Sequence, residues 1–171
     1  MAGGWNTITG AFDGRYAKLF INGILTDTVD SSISNVIQYP ATVLDLLIGA
    51  EPSTTGVAGG YLTGQQSSVR ISNIARSDAW IKAESLVLKD NILTIEDLNI
   101  VTDGLILHLD AGNTESYSGS GIVWYDLSGN NNNGTLINGV DYSSNNNGYL
   151  IFDGSNDYIQ LPNDLGYTNA F

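Results

Sequence analysis

Bulky apolar residues along this chain recur mainly at every second position, in short runs broken by Gly, Asn and Asp. Residues 5–13, Trp-Asn-Thr-Ile-Thr-Gly-Ala-Phe-Asp, alternate with the period of two that suits a half-buried strand. Asp13-Gly14 predicts a turn, because both residues tolerate the positive φ of a tight hairpin. Tyr16–Ile21 is the next strand, Asn22-Gly23 the strongest hairpin signal in the chain, and Ile24–Val29 the returning strand. A Ser-rich stretch runs to Pro40. Leu44–Ile48 is an apolar run long enough for a buried strand and too short for a stable helix. Residues 52–60, rich in Thr and Gly, predict a loop, and Tyr61–Gly64 and Val69–Ser72 two further strand pieces. One short helix is expected near 77–83, where Ser77 can cap and Asp78 suits the positive end of the helix dipole.

Residues 85–102 predict an ordered connector, and from Gly104 the alternation restarts. Leu105, Leu107 and Leu109 share one strand face, with Ile106, His108 and Asp110 on the other. A Gly/Ser/Asn loop covers 111–121, and Trp124-Tyr125-Asp126-Leu127 leads into an Asn-rich segment, 128–134, too polar and turn-prone to be regular. Thr135–Ile137, Gly148–Phe152 and Asp157–Leu161 are the remaining strands. Short strands with turns every ten or so residues predict an all-β fold, a sandwich or jelly roll.

Composition narrows the chemistry. The chain has 171 residues, enough for one domain or for two pieces of domains. No stretch approaches the roughly 20 apolar residues that cross a bilayer, so no membrane insertion is expected, and the N-terminus shows no signal-peptide pattern. The absence of cysteine removes disulfides, thiolate zinc sites and thiol catalysis. A net charge of −12 argues against nucleic acid, whose phosphates such a surface repels. The charge is lopsided: residues 1–90 hold all six bases with eight acids, whereas 91–171 hold ten acids and no base. The acidic part suits calcium or a cationic partner; equally, its acids serve to keep a sheet surface soluble.

Three stretches, Gly104-Leu105-Ile106-Leu107-His108-Leu109-Asp110-Ala111-Gly112-Asn113, Trp124-Tyr125-Asp126-Leu127-Ser128-Gly129-Asn130 and Phe152-Asp153-Gly154-Ser155-Asn156-Asp157-Tyr158, resemble the opening half of laminin-G-like, concanavalin-A-like domains. Trp5 to Gly23, Ile48-Gly49, Tyr61–Gly64, Val69–Asn73 and Ala75-Arg76-Ser77 resemble the closing half. The resemblance implies a two-sheet antiparallel jelly-roll sandwich, found in secreted bacterial proteins and in tailed-phage structural proteins. It divides the chain into a closing half at 1–84, a connector at 85–102 and an opening half at 103–171, in reversed order. Circular permutation, an excerpt across two tandem domains, or strand exchange between chains would each account for that order.

Glucan-cleaving relatives of this fold carry a Glu-x-Asp-x-Glu strand, whose alternation puts the carboxylates on one face. That spacing is absent here. Glu96 and Asp97 are adjacent, Glu51, Glu84 and Glu115 stand apart, and no catalytic residue is assigned. His108, the only histidine, is expected at the surface or hydrogen-bonded. For calcium the candidate ligands are Asp110, Asn113, Asp126, Asp153 and Asp157, with Asp126 and Asp157 foremost; the same residues are ordinary turn formers that need no ion. For glycans the candidates are Tyr117, Trp124, Tyr125 and Asn131, with core packing the alternative for Trp124. Trp5 matches a core-strand position of the family, and Trp80 fits the apolar side of the helix. The expectation is a non-catalytic structural or adhesion module, extracellular or on a virion surface, self-associating or acting as tandem copies through strand and sheet complementation. A carbohydrate-binding module of a larger secreted enzyme is the alternative, and a glycoside hydrolase a third reading.

Overall fold

The computed structural model describes residues 4–30, 46–52, 58–90, 102–162 and 165. The described residues are mostly β, in several antiparallel sheets with one α-helix, and they belong to two compact units.

The first unit holds β1 (Ile8–Phe12), β2 (Tyr16–Ile21), β3 (Ile24–Asp30) and α1 (Asp78–Asp90). The three strands pair in chain order as an antiparallel meander. Asp13 makes the first turn by accepting the backbone N–H groups of Arg15 (3.0 Å) and Tyr16 (2.7 Å) on one carboxylate oxygen. Asn22 (φ 52°) and Gly23 (φ 72°) make the second, with both central residues left-handed as a two-residue hairpin of the right twist requires. Gly23 answers a second demand. A Cβ there would lie 2.8 Å from Cα of Lys82 and 2.9 Å from Cβ of Ser85, so the hairpin lies directly against α1.

Cross-strand partners lie on one face of a sheet. Thr9, Phe20 and Leu25 therefore share a face with Ala11, Lys18 and Thr28. This is the face α1 covers: Phe20 and Ile81 are fully buried, the Thr7 and Ser85 hydroxyls are 2.6 Å apart, and Lys18 Nζ reaches Asp78 at 2.8 Å. Ser77 caps α1 by accepting the Trp80 N–H (3.2 Å). The helix continues to Asp90 and so takes up the first residues of the expected connector. Ala83, Glu84, Leu86, Leu88 and Lys89 are strong helix formers, with no Gly or Pro to stop them. Residues 91–101 of that connector lie outside the described residues. Trp5, expected in a core strand, precedes β1 and is exposed; the pairing begins at Ile8. Trp80 is half-buried with the Arg76 guanidinium 5.2 Å from its ring centre.

The second unit holds β4 (Leu47–Ile48), β5 (Thr63–Gln66), β6 (Ser68–Ser72), β7 (Leu105–Asp110), β8 (Val123–Trp124), β9 (Gly134–Ile137), β10 (Asp141–Ser143), β11 (Tyr149–Asp153) and β12 (Tyr158–Gln160). The sheets run β10-β11-β5, β4-β12-β9-β8 and β6-β7. Every strand that precedes α1 here finds its partner after it: β4 on β12, β5 on β11 and β6 on β7. The register Val69↔Leu109 and Ile71↔Leu107 puts four apolar side chains on one face, and they join a core with Trp124, Leu150, Phe152 and Ile159. Gly134 sits where a side chain would meet Ile159 at 2.7 Å, so its lack of one lets β8 and β9 lie close over the core. Residues 44 and 45 of the strand expected at Leu44–Ile48 lie outside the described residues. The sequence pattern did not foresee β10, nor the 3-10 turn Asn145–Asn147, in which Asn146 and Asn147 take positive φ. No helix among the described residues is long and apolar enough to cross a membrane.

Gly23→Ala should destabilise the first unit by about 2 kcal/mol, combining the left-handed backbone cost with the clash on α1. Gly10→Ala, with open space around its added methyl, should cost far less. Chemical denaturation compares them, and equal losses would contradict this account of the hairpin.

Candidate functional site

Among the described residues strand β7 has one strand partner, β6. Its other edge is sealed by side chains of the segment that follows β8. Asp126 Oδ1 accepts the N–H groups of His108 (2.9 Å) and Ser128 (2.9 Å). Asp126 Oδ2 accepts the Asn132 N–H (2.9 Å) and faces the Ser128 hydroxyl (2.7 Å), whose one proton lies between it and Ile106 O (2.9 Å). The Leu127 N–H donates to His108 O (2.8 Å). The Asn130 amide donates to Leu105 O (2.9 Å) and that of Asn132 to Ile106 O (2.9 Å). Asn133 Oδ1 accepts the Asp126 N–H (2.8 Å), and Ser116 Oγ accepts that of Asp110 (3.1 Å). The Asn-rich segment read as irregular loop is thus a hydrogen-bonded rail along a strand edge. Asn suits the task because its side-chain amide carries both a donor and an acceptor.

His108 lies under this rail. Expected at the surface or hydrogen-bonded, it is instead 2% exposed, and its Nε2 atom is buried with no hydrogen-bond partner. Alternation turned it away from the leucine face as read, but the side chain is buried on that side too. Burial pushes its pKa below the ordinary value near 6.5; Arg70, its cross-strand partner, pushes the same way, against the opposing pull of Asp110 and Asp126. For Asp126, burial works against the charged form. The hydrogen bonds from His108, Ser128 and Asn132 outweigh it and hold the carboxyl below the usual carboxylate range.

The calcium candidates are spread over separate turns, each tied into local structure. Asp110 Oδ1 accepts the Gly112 N–H, Asn113 Oδ1 that of Glu115, Asp153 Oδ1 that of Ser155 and Asp157 Oδ2 that of Asp153. Both oxygens of Asp126 are taken. Calcium needs six to eight oxygens converging on one point. Among the described residues no three His, Cys, Asp or Glu gather as a group that could hold an ion.

The glycan candidates divide by burial. Trp124 is fully buried, and Tyr117 is buried with its hydroxyl on Gly121 O (2.9 Å) and its ring 5.3 Å from that of Tyr142. Both serve the core. Tyr125, one position past Trp124, points outward and is 53% exposed; Asn131, in a left-handed turn (φ 60°), is exposed too.

A surface that the sequence reading did not single out is the second face of the β1–β3 sheet. Cross-strand register collects Ile8, Ile21 and Ile24 in one row, Gly10, Leu19 and Asp27 in the next, then Phe12, Ala17 and Val29. Ile8 is 74% exposed, Ile24 68% and Val29 57%, with Leu19 and Ile21 exposed as well. One charge, Asp27, stands among nine positions. The signal lay in Leu19-Phe20-Ile21, an unbroken apolar run that marks a strand apolar on both faces. No family model, curated protein or solved structure matches the chain.

Asp126→Asn turns an amide toward groups that themselves donate, and should cost about 3 kcal/mol, against about 1 kcal/mol for Ser128→Ala. A loss for Asp126→Asn below that of Ser128→Ala in urea denaturation would contradict the rail. For His108, a folded-state pKa below the unfolded one means the unfolded chain takes up the proton first. Its contribution is fully present above about pH 6.5 and declines as pH falls toward the folded value. The Asp126 contribution is present above the unfolded carboxylate value and is lost at lower pH, as pH falls through its depressed folded value. Denaturation midpoints should therefore fall in two acid steps, and His108→Gln should remove the first alone. A flat midpoint between about pH 7 and pH 5 would contradict the buried neutral imidazole.

Proposed function

We propose that this chain is a non-catalytic structural or adhesion module of an extracellular assembly or phage virion, with a laminin-G-like, concanavalin-A-like jelly-roll fold. The observation that carries the reading is the bare apolar face of β1–β3, since a sheet stabilises itself by burying such a face against another layer. The carboxylates of the second unit point the same way. Asp126, Asp153 and Asp157 are engaged in holding backbone rather than arranged as an acid and a nucleophile. The fold assignment draws support from the antiparallel sheets and from β4, β5 and β6 pairing with strands that follow α1. That pairing joins sequences resembling the closing and opening halves within one chain, as a permuted domain would. Partners are then further copies of the chain or tandem modules that bring a covering layer.

Light scattering over a range from low micromolar to millimolar tests this. Species larger than one chain at the upper end are expected, and a monomer throughout would remove self-association. A second reading, a carbohydrate-binding module, rests on the exposure of both Tyr125 and Asn131, an aromatic face and an amide of the kinds that hold a sugar. Binding on a glycan array that Tyr125→Ala abolishes would favour it; silence across the array would remove it.

A further inference from the structure

We infer that two copies of this chain pair through the second face of the β1–β3 sheet, face to face about a two-fold axis, forming a closed dimer; the inference rests on the assembly reading and specifies its geometry. The chemistry of the face selects the class of partner. Among its nine positions only Asp27 carries a charge, and the exposed side chains Ile8, Leu19, Ile21, Ile24 and Val29 offer no hydrogen bond. A sugar or an ion finds little to hold there, whereas another largely aliphatic sheet face does. A second copy supplies one of the same size and shape. An isologous contact of this kind sets the Ile8–Ile21–Ile24 rows against one another without burying an ion pair in a chain of net charge −12.

The size of the face sets the strength. Three strands about 4.8 Å apart, of five, six and seven residues rising about 3.3 Å each, give a footprint of roughly 14 by 20 Å. Counting side-chain relief, a face-to-face pair buries on the order of 1,000 Å² in all, at the lower limit for a specific interface. A contact of this size belongs to the weak, transient class, so the dimer forms at raised concentration. The edge of the same sheet is a poor alternative. β3 carries Asp27 and Asp30, Asp30 is bound through two contacts to Arg15 (3.2 and 2.8 Å), and the register slips between Leu19 and Phe20, leaving Thr26 without a partner on β2. Charge and irregular register of this kind discourage strand addition. Face pairing stops at two copies; edge pairing would continue into a ladder.

Sedimentation velocity on the full chain, with Ile24→Asp, Ile8→Asp and Thr28→Asp, tests this. Thr28 sits on the same strand as Ile24 but on the opposite face, so Thr28→Asp adds the same charge as a control. The wild type should dimerise and stop, and added salt should tighten the dimer by screening the repulsion between acidic chains. Ile24→Asp and Ile8→Asp should weaken dimerisation about a hundredfold with the melting midpoint near that of wild type, and Thr28→Asp should leave it unchanged. Higher oligomers that Ile24→Asp does not affect would overturn face pairing and leave the assembly reading standing. A monomer at every concentration would overturn both.

Discussion

A single carboxylate, Asp126, decides whether the second unit can close. Strand β7 runs through the core with Leu107 and Leu109 fully buried, yet among the described residues only one neighbouring strand bonds to it. Its other edge would otherwise leave peptide groups buried and unbonded, at a cost of some 1–3 kcal/mol each. Asp126 takes the His108 N–H and folds the following residues into a tight turn through Ser128 and Asn132. The amides of Asn130 and Asn132 then reach back to the carbonyls of β7. Side chains thus do along this edge what a strand does elsewhere. Because each acceptor of Asp126 is occupied by a donor, the same residue that orders the segment is poorly suited to hold a cation.

The first unit solves one face of its sheet and not the other. Phe20 and Ile81 bury the face beneath α1, and the Gly23 turn and the Thr7–Ser85 hydroxyl pair fix how the helix lies on it. The opposite face carries aliphatic side chains in water. On thermodynamic grounds such a face is a cost unless something covers it, and that cost connects the fold to a role in assembly. The contrast between the units is informative: acidic residues in one are consumed by internal hydrogen bonds, and apolar residues in the other remain uncommitted.

Much of the strand layout was legible because it rests on local chemistry. The Asn22-Gly23 hairpin, the Asp13-Gly14 turn, β2 and the parity of Leu105, Leu107 and Leu109 follow from turn preferences and a period of two, and each appears where the pattern puts it. What escaped depends on tertiary placement. Periodicity says that His108 faces away from the leucines but not that it is buried on that side as well. Four consecutive asparagines resemble a loose loop until a strand edge lies beside them. Trp124 and Tyr125 are equivalent as composition, and only the register of β8 on β9 puts one in the core and the other outside. Helix α1 outran its expected end because nothing in 84–90 stops a helix, and the pattern read there was apolar spacing rather than propensity.

Site-resolved amide hydrogen exchange on the native chain tests the sealed edge most directly. If side chains replace a strand along β7, the amides of His108, Asp110, Ser128 and Asn132 exchange as slowly as the strand-paired amides of β6 and β7. Exchange of those four at the rate of an unprotected peptide would contradict it.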